Sequence, residues 1–241
     1  MKAVVYAGTR NLYPDMETAA KSLLKHTKVD RIYFLIEDDE FPGAERLPDI
    51  IRTVNVGHQE FFPETCVNIH TGFTYMSLMR VCYSKLFPEL DKILQLDVDT
   101  IVADDLSALW EMDRDGTWLA ATYEERSHFR PYGPKYYNVG VAIFNLAQIR
   151  KDGADDMAIR MLNEEEVPYI DQDAWNKLGI AADKIVELPI RYNESIVTGK
   201  TETPAIVHFA GYRNWQTTGT MFRKEYLDAY RRKTWEEILH G

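Results

Sequence analysis

The stretch DKILQLDVDTIVADDLSALW, Asp91 to Trp110, decides the fold. It sets two carboxylates, Asp97 and Asp99, one residue apart behind the apolar run Ile93, Leu94 and Leu96. A carboxylate at the hydrophobic end of a strand is costly unless a partner there offsets its desolvation. In an extended chain, residues i and i+2 point to one side, about 6 to 7 Å apart. Two such carboxylates can converge on one cation, directly or with one acting through water, and oxygen ligands suit magnesium or manganese. The alternative is that they cap the following turn, where Asp is common.

Working outward, short apolar runs alternate with amphipathic ones. AVVYAG (3–8), RIYFLIEDD (31–39), IRTVNV (51–56), KILQLDVD (92–99), TWLAATYEE (117–125), NVGVAIFNL (138–146) and PAIVHFAG (204–211) read as strands. PDMETAAKSLLKH (14–26) reads as a helix with Pro14 in its first turn. In TGFTYMSLMRVCYSKLF (71–87), Phe73, Met76, Met79 or Arg80, Tyr83 and Phe87 recur at helical steps. DGADDMAIRMLNEE (152–165) and QDAWNKLGI (172–180) also look helical, and GYRNWQTTGTMF (211–222) is a loop before a C-terminal helix. Strands alternating with helices predict an α/β, Rossmann-like single domain over 1–241, with a mainly parallel sheet and helices on both faces. The ligand crevice of such a sheet lies beyond the carboxyl ends of its strands. IEDD, DVD, YEE and VHFAG all fall where a strand should finish.

Composition narrows the function. A hydrophobic share of 45% suits a folded globular chain, and 28 Lys plus Arg against 38 Asp plus Glu give a charge of -10. That balance argues against a nucleic-acid partner bound through phosphates. It leaves room for a small phosphorylated ligand held by local cations or a metal. Cys66 and Cys82 have no metal-like or redox-like spacing, so reduced thiols are expected. MKAVVYAG is too short an apolar run for a signal peptide, and none approaches the roughly 20 residues that span a bilayer. The expected location is cytoplasmic.

Three further clusters carry chemistry. His208 follows the run Ala205, Ile206 and Val207, and so should stand at a strand end facing the same edge as the Asp pair. Two Asp and one His with open positions make a sensible divalent site, and the imidazole shifts preference from magnesium toward manganese. The alternative is a satisfied core or edge histidine. In YIDQDAWN, Asp171 and Gln172 either face a reacting centre, with Asp173 or Asn176 serving the helix start, or Asp171 is simply the N-cap. In YYNVGVAIFN, Asn138 and Gly140 stand at the entry of an apolar strand, either for close ligand approach or as an edge glycine with a turn Asn.

Taken in order, D-x-D, YYNVGVAIFNL, DQDAWN, LPIRYN and HFAG with a following basic residue and Trp215 resemble the nucleotide-sugar glycosyltransferases of family 8, which have the GT-A fold. The likeness runs from AVVYAG to about Trp215. It implies a retaining hexosyltransferase that uses manganese, with magnesium a second option, and moves glucose or galactose from UDP-glucose or UDP-galactose. The acceptor is a carbohydrate, a lipid-linked sugar or a protein. By this resemblance residues 1–110 form a nucleotide-binding half, 111–215 a sugar and acceptor half, and 216–241 a C-terminal helix.

Carried over residue by residue, Asp97, Asp99 and His208 are the metal ligands, and Arg80 contacts the donor. Asn138 and Gly140 lie beside the donor sugar, and Asp171 and Gln172 grip it near its anomeric carbon. Ala7, Gly8 and Tyr13 cradle the uridine, and Gly211 belongs to the late diphosphate motif. Gln172 is a nucleophile, a dipole or a positioning group; a neutral amide is a poor nucleophile, which favours the dipole. Two departures stand out. The family's acidic residue in the N-terminal loop is missing from GTRNLY, leaving Asn11 as the substitute and Arg10 as a second influence on nucleotide choice. HFAGYRNW is one residue shorter than the family's motif and lacks its Lys-Pro pair, so Arg213 stands in for the diphosphate-binding lysine.

Competing readings are a haloacid-dehalogenase-type phosphatase, a sugar nucleotidyltransferase, and a nucleotide-sugar binder without turnover. The first expects its D-x-D near the N-terminus, and the second a Gly-rich basic opening loop that AGTRN matches poorly. YEERSHFRPYGPKYYN (123–138) is expected to form part of the acceptor wall through His128, Arg130, Tyr132 and Lys135. In the tail, Arg223, Lys224, Arg231, Arg232 and Lys233 with Phe222, Tyr226, Tyr230 and Trp235 suggest at most peripheral membrane contact. Glu225, Asp228, Glu236 and Glu237 dilute that charge and favour an ordinary surface helix.

Overall fold

The computed structural model describes residues 1–124, 126, 131–196, 199, 201–211 and 224–241. The elements are β1 (Ala3–Ala7), α1 (Tyr13–His26), β2 (Arg31–Ile36), β3 (Ile51–Asn55), α2 (Met76–Met79), α3 (Tyr83–Leu86) and β4 (Lys92–Leu96). They continue as β5 (Thr100–Val102), β6 (Leu119–Tyr123), β7 (Tyr137–Asn145), α4 (Leu146–Asp152), α5 (Ala154–Glu164) and α6 (Ile170–Ala181). The last are β8 (Ile185–Leu188), β9 (Glu194–Ser195), β10 (Ile206–His208), α7 (Lys224–Arg231) and α8 (Trp235–Leu239).

Seven strands form the central sheet in the order β3-β2-β1-β4-β7-β6-β8. Only β7 is antiparallel to its neighbours, so the sheet is mainly parallel. All five residues of β1 are buried, as expected of a central strand covered on both faces. Val4, Tyr6, Leu94, Leu96, Val141 and Ile143 pack on one face against Met16, Ala19, Ala20 and Leu23 of α1. Val5, Ile93, Ala142 and Phe144 pack on the other against Met79, Tyr83, Leu162 and Trp175 from α2, α3, α5 and α6.

The strand order positions the site. The chain steps from β1 to β2 and β3 on one side, then returns to place β4 on the other side of β1. In open α/β sheets, ligands bind in the crevice at that reversal. Because β7 runs backwards, its first residues, Asn138 to Gly140, join the same edge as the ends of β1 and β4. β7 also bulges there: Ala142 pairs with Ala121, but Asn138 pairs with the next residue, Thr122.

Four sequence expectations change. PAIVHFAG does not join the central sheet; β10 lies in a second, three-stranded sheet of order β5-β10-β9, because it pairs antiparallel with β5. The helix read over 71–87 begins only at Met76 and is split by a 3-10 turn at Arg80–Cys82. Phe73 therefore lies outside it. The C-terminal helix is two, α7 and α8, separated by a Thr234–Glu237 capping box that starts α8. Tyr230 and Trp235 are buried against α1, where Tyr230 bonds His26 at 2.6 Å and Trp235 donates to Glu17 at 3.1 Å. Those two aromatics are core, which leaves mixed charge outward; Phe222 and Arg223 lie outside the described residues. Among the described residues no helix is long and apolar enough to cross a membrane.

Candidate active site

β4 stops at Leu96, and the Asp97–Asp99 segment is a tight turn, not an extended strand end. Thr100 closes it by donating its N–H (3.2 Å) and its hydroxyl (2.6 Å) to the Asp97 carbonyl. The reversal feeds β5, whose ladder with β10 sets His208 opposite Thr100; Phe209 N–H donates to the Asp99 carbonyl at 2.9 Å. The histidine thus reaches the Asp pair from the second sheet. Its Nε2 lies 3.1 Å from Asp99 Oδ1 and 3.6 Å from Asp97 Oδ2.

Arg80 sits at the break between α2 and α3 and turns inward. Its Nη2 lies 2.5 Å from Asp97 Oδ1 and its Nη1 3.5 Å from Asp171 Oδ2. Gln95 donates to the same Asp97 oxygen at 2.9 Å. Burial works against ionising Asp97, but Arg80, His208 and Gln95 hold its carboxyl below the usual range. Burial also opposes charge on His208, yet Asp99 and Asp97 outweigh it and push the imidazole up to about 9. Asp171 goes the other way: burial, opposed by Arg80 and reinforced by Asp97, pushes it up to about 7. At 3.5 Å the Arg80–Asp171 contact is an ion pair without a hydrogen bond. Arg80 Nε and Asp171 Oδ2 are both buried with no hydrogen-bond partner among the described residues.

Asp171 and Gln172 occupy the first turn of α6 just after Ile170, whose φ of 48° is left-handed. A β-branched residue there carries backbone strain, which persists where the surroundings over-determine it. Asp173 holds the turn by accepting from Tyr169 N–H at 2.9 Å and from the Tyr136 hydroxyl. Asp173 therefore takes the capping work and Asp171 is not the N-cap. Gln172 Oε1 accepts from Val139 N–H at 3.3 Å, which ties it to the bulge of β7.

Gly140 fills the floor between these groups. A Cβ there would lie 2.4 Å from His208 Cε1 and 2.5 Å from Asp97 Oδ2, so only glycine leaves both side chains in place. Asn138 Oδ1 accepts from Gly140 N–H at 2.9 Å, and its Nδ2 donates to Glu124 at 3.0 Å.

These residues converge on one cleft of about 280 Å³, lined by Arg80, Asp97, Asp99, Asn138, Gly140, Asp171, Gln172, His208 and Gly211 together with Phe73, Ser77, Arg126, Tyr169 and Ala210. Gly211 has φ +78°, and a side chain on it would meet Arg126. Ala7, Gly8, Asn11 and Tyr13 are not in its lining; they lie where β1 ends and α1 begins. Tyr13 is buried, with its hydroxyl between Asp38 (2.9 Å) and Glu37 N–H (3.0 Å). Arg10 forks onto Asp38, while Asn11 is exposed and accepts from Thr9. Arg213, Trp215, His128 and Arg130 lie outside the described residues; Tyr132 is half-buried and Lys135 exposed.

Three polar residues of this region were not singled out from sequence. Glu124 and Arg126, joined at 2.7 Å, come from the acidic strand end YEE and the residue after it. Asn193 ends the LPIRYN motif and is buried beside His208. Their positions in quoted motifs were the available signal.

One ligand atom each from Asp97, Asp99 and His208 lies within 4.8 Å of the other two, the only such metal-capable group among the described residues. Two hard oxygens, one imidazole nitrogen and a floor kept clear by Gly140 fit a small divalent cation.

The family model described as glycosyl transferase family 8 matches residues 3–219. Glycosyltransferase GlyA of Streptococcus pneumoniae serotype 4 is 25% identical over 260 residues, covering 98% of this chain and 36% of that protein. Glycosyltransferase GlyE of the same organism is 30% identical over 208 residues, covering 81% and 48%. The chain thus spans about a third to a half the length of these curated relatives. The solved structure of the galactosyltransferase LgtC, in complex with donor and acceptor sugar analogs, superposes with a TM-score of 0.78 at 22% identity, over 95% of each chain, and shows the shared GT-A fold.

Proposed function

The chain belongs to glycosyl transferase family 8, and on that premise we propose that it is a retaining hexosyltransferase moving glucose or galactose from a UDP-sugar to a carbohydrate, lipid-linked or protein acceptor. The family match sets aside the phosphatase and nucleotidyltransferase readings. The observation that carries the proposal is the meeting of Asp97, Asp99, His208, Arg80, Asp171 and Gln172, drawn from β4, the second sheet, the α2–α3 break and α6, in one cleft.

In this reading Asp97, Asp99 and His208 hold manganese, or magnesium. When bound, the cation supplies charge neutralisation for the diphosphate leaving group. Residues 1–110 serve the nucleotide, with Ala7, Gly8, Asn11 and Tyr13 at the uridine end; 111–215 serve the sugar and acceptor, with Asn138, Gly140 and Gly211 lining the donor, and Arg213 taking the diphosphate. Arg80 fixes Asp97 in its ionised form and lines the cleft that would take the donor. Asp171, near 7, is able to donate to or accept from a sugar hydroxyl. Gln172 Oε1 uses one lone pair on Val139 N–H and keeps a second, so its dipole is held in place to steady positive charge at the anomeric centre. In this reading the departing phosphate takes the acceptor's proton on the same face.

The test is a hydrolysis and transfer screen across nucleotide-sugars with and without manganese. UDP-glucose or UDP-galactose should be cleaved only with the metal, and Asp99→Asn should abolish it. If no donor is cleaved but UDP-sugars bind, the binder without turnover is the correct reading.

A further inference from the structure

We propose that Asn193 is a positioning residue that fixes which nitrogen of His208 faces the Asp97–Asp99 pair, and that Glu124 is the anchored end of the amide chain through which it does so. Four side chains lie head to tail. Asn138 Nδ2 donates to Glu124 Oε2 at 3.0 Å, Asn193 Nδ2 donates to Asn138 Oδ1 at 2.9 Å, and Asn193 Oδ1 meets His208 Nδ1 at 2.7 Å. Glu124, Asn193 and His208 are at least nine-tenths buried, so water does not compete for these bonds.

The polarity of the chain is set at its far end by groups whose roles cannot reverse. An ionised carboxylate only accepts, and a backbone N–H only donates. Glu124 is kept ionised: burial opposes its charge, but Arg126 and Asn138 hold its carboxyl low. Asn138 therefore turns its NH2 to Glu124 and its oxygen to Gly140 N–H, 2.9 Å away. That oxygen's other lone pair takes the NH2 of Asn193, which leaves the Asn193 oxygen facing the ring. Amide and ring orientations follow from the network in this way. Nδ1 must carry a proton, and Nε2 faces Asp99 Oδ1 at 3.1 Å; that carboxylate also only accepts, so Nε2 holds the proton that a cation would displace. His208 is thereby held with Nε2 toward the Asp pair, and the proton it keeps when a cation takes Nε2 is the one Asn193 accepts.

The consequence for metal rests on the family 8 reading; the hold on Nδ1–H does not. The first arm is a long-range proton–nitrogen correlation spectrum of histidine-labelled, metal-free protein, with the exchange of each ring N–H with water read beside it. His208 should show an Nδ1–H that exchanges slowly, and Asn193→Ala should lose that protection. A wild-type ring without a protected Nδ1–H, or a folded Asn193→Ala that keeps it, overturns the proposal.

The second arm titrates Mn²⁺ and reads free ion by electron paramagnetic resonance. Asn193→Ala should bind about 10- to 100-fold more weakly, the usual effect of losing such a partner. Asn193→Asp, which keeps an acceptor for Nδ1–H but sets its second oxygen against Asn138 Oδ1, should bind more tightly than Asn193→Ala. Equal affinity in wild type and folded Asn193→Ala counts against the proposal. If the wild type takes up no Mn²⁺, the metal reading fails while the protection of Nδ1–H still decides this inference.

Discussion

Replacing Gly140 by alanine tests the packing of the site by one methyl group. The new Cβ would stand 2.4 Å from His208 Cε1, 2.5 Å from Asp97 Oδ2 and 3.0 Å from Asn138 Oδ1. Contact at about 3.4 Å or more is the ordinary limit, so His208 and Asp97 must each retreat by about 1 Å. Gly140 itself has little room to move: its carbonyl accepts from Asp97 N–H at 2.7 Å and its N–H is held by Asn138. Overpacking of this kind costs about 1–3 kcal/mol of stability, or roughly 2–4 °C in Tm per kcal/mol for a chain of this size. Ligand constellations tolerate only about 0.5 Å of error, so Mn²⁺ affinity should fall at least about tenfold, near 1.4 kcal/mol. Calorimetric titration of Mn²⁺ beside a thermal melt separates the two effects. Gly72→Ala, where an added Cβ meets nothing within 4 Å, is the control. A folded Gly140→Ala that binds Mn²⁺ as tightly as wild type would refute the placement of Asp97 and His208.

Three other outcomes are expected. Arg80→Met leaves Asp97 and Asp171 without their shared cation, and urea unfolding of metal-free protein should show a loss of about 3–5 kcal/mol; a loss under about 1 kcal/mol would contradict the buried ion pairs. Tyr6→Phe removes a buried hydroxyl with no partner among the described residues, so it should be neutral or stabilising by about 1 kcal/mol; clear destabilisation would show that the hydroxyl is satisfied. Hydrogen bonds from Gln148 and Trp118 and the Lys184 ammonium hold Asp152 down to about 2. Its folded pKa is depressed, so its stabilisation is complete above the unfolded value near 3.8 and is lost as pH falls toward 2. Asp152→Asn should flatten that part of the acid unfolding curve, and an unchanged curve would count against it.

The central sheet was legible because β2, β4 and β6 are apolar runs followed by acids, and β1 is an apolar run followed by glycine. β5 and β9 were not, because two or three residues carry no period. β8 was hidden by its half-exposed edge position, and α4 by following β7 without a break. Asp97, Asp99 and His208 were legible as residue types at strand ends, but their geometry was not. Sequence suggested an extended pair; the structure makes it a turn, and only the β5–β10 pairing carries His208 to it. The amide chain through Asn193 and Glu124 was invisible in sequence, since it joins residues 69 positions apart through hydrogen bonds that only the fold brings together.

The most direct test of the site is calorimetric titration of UDP into the protein. With Mn²⁺ present, wild type should bind UDP, while chelation of the metal or Asp99→Asn should remove the binding. UDP binding that is equally tight without metal, or in folded Asp99→Asn, would contradict the assignment of Asp97, Asp99 and His208 as the corner that holds the diphosphate's cation.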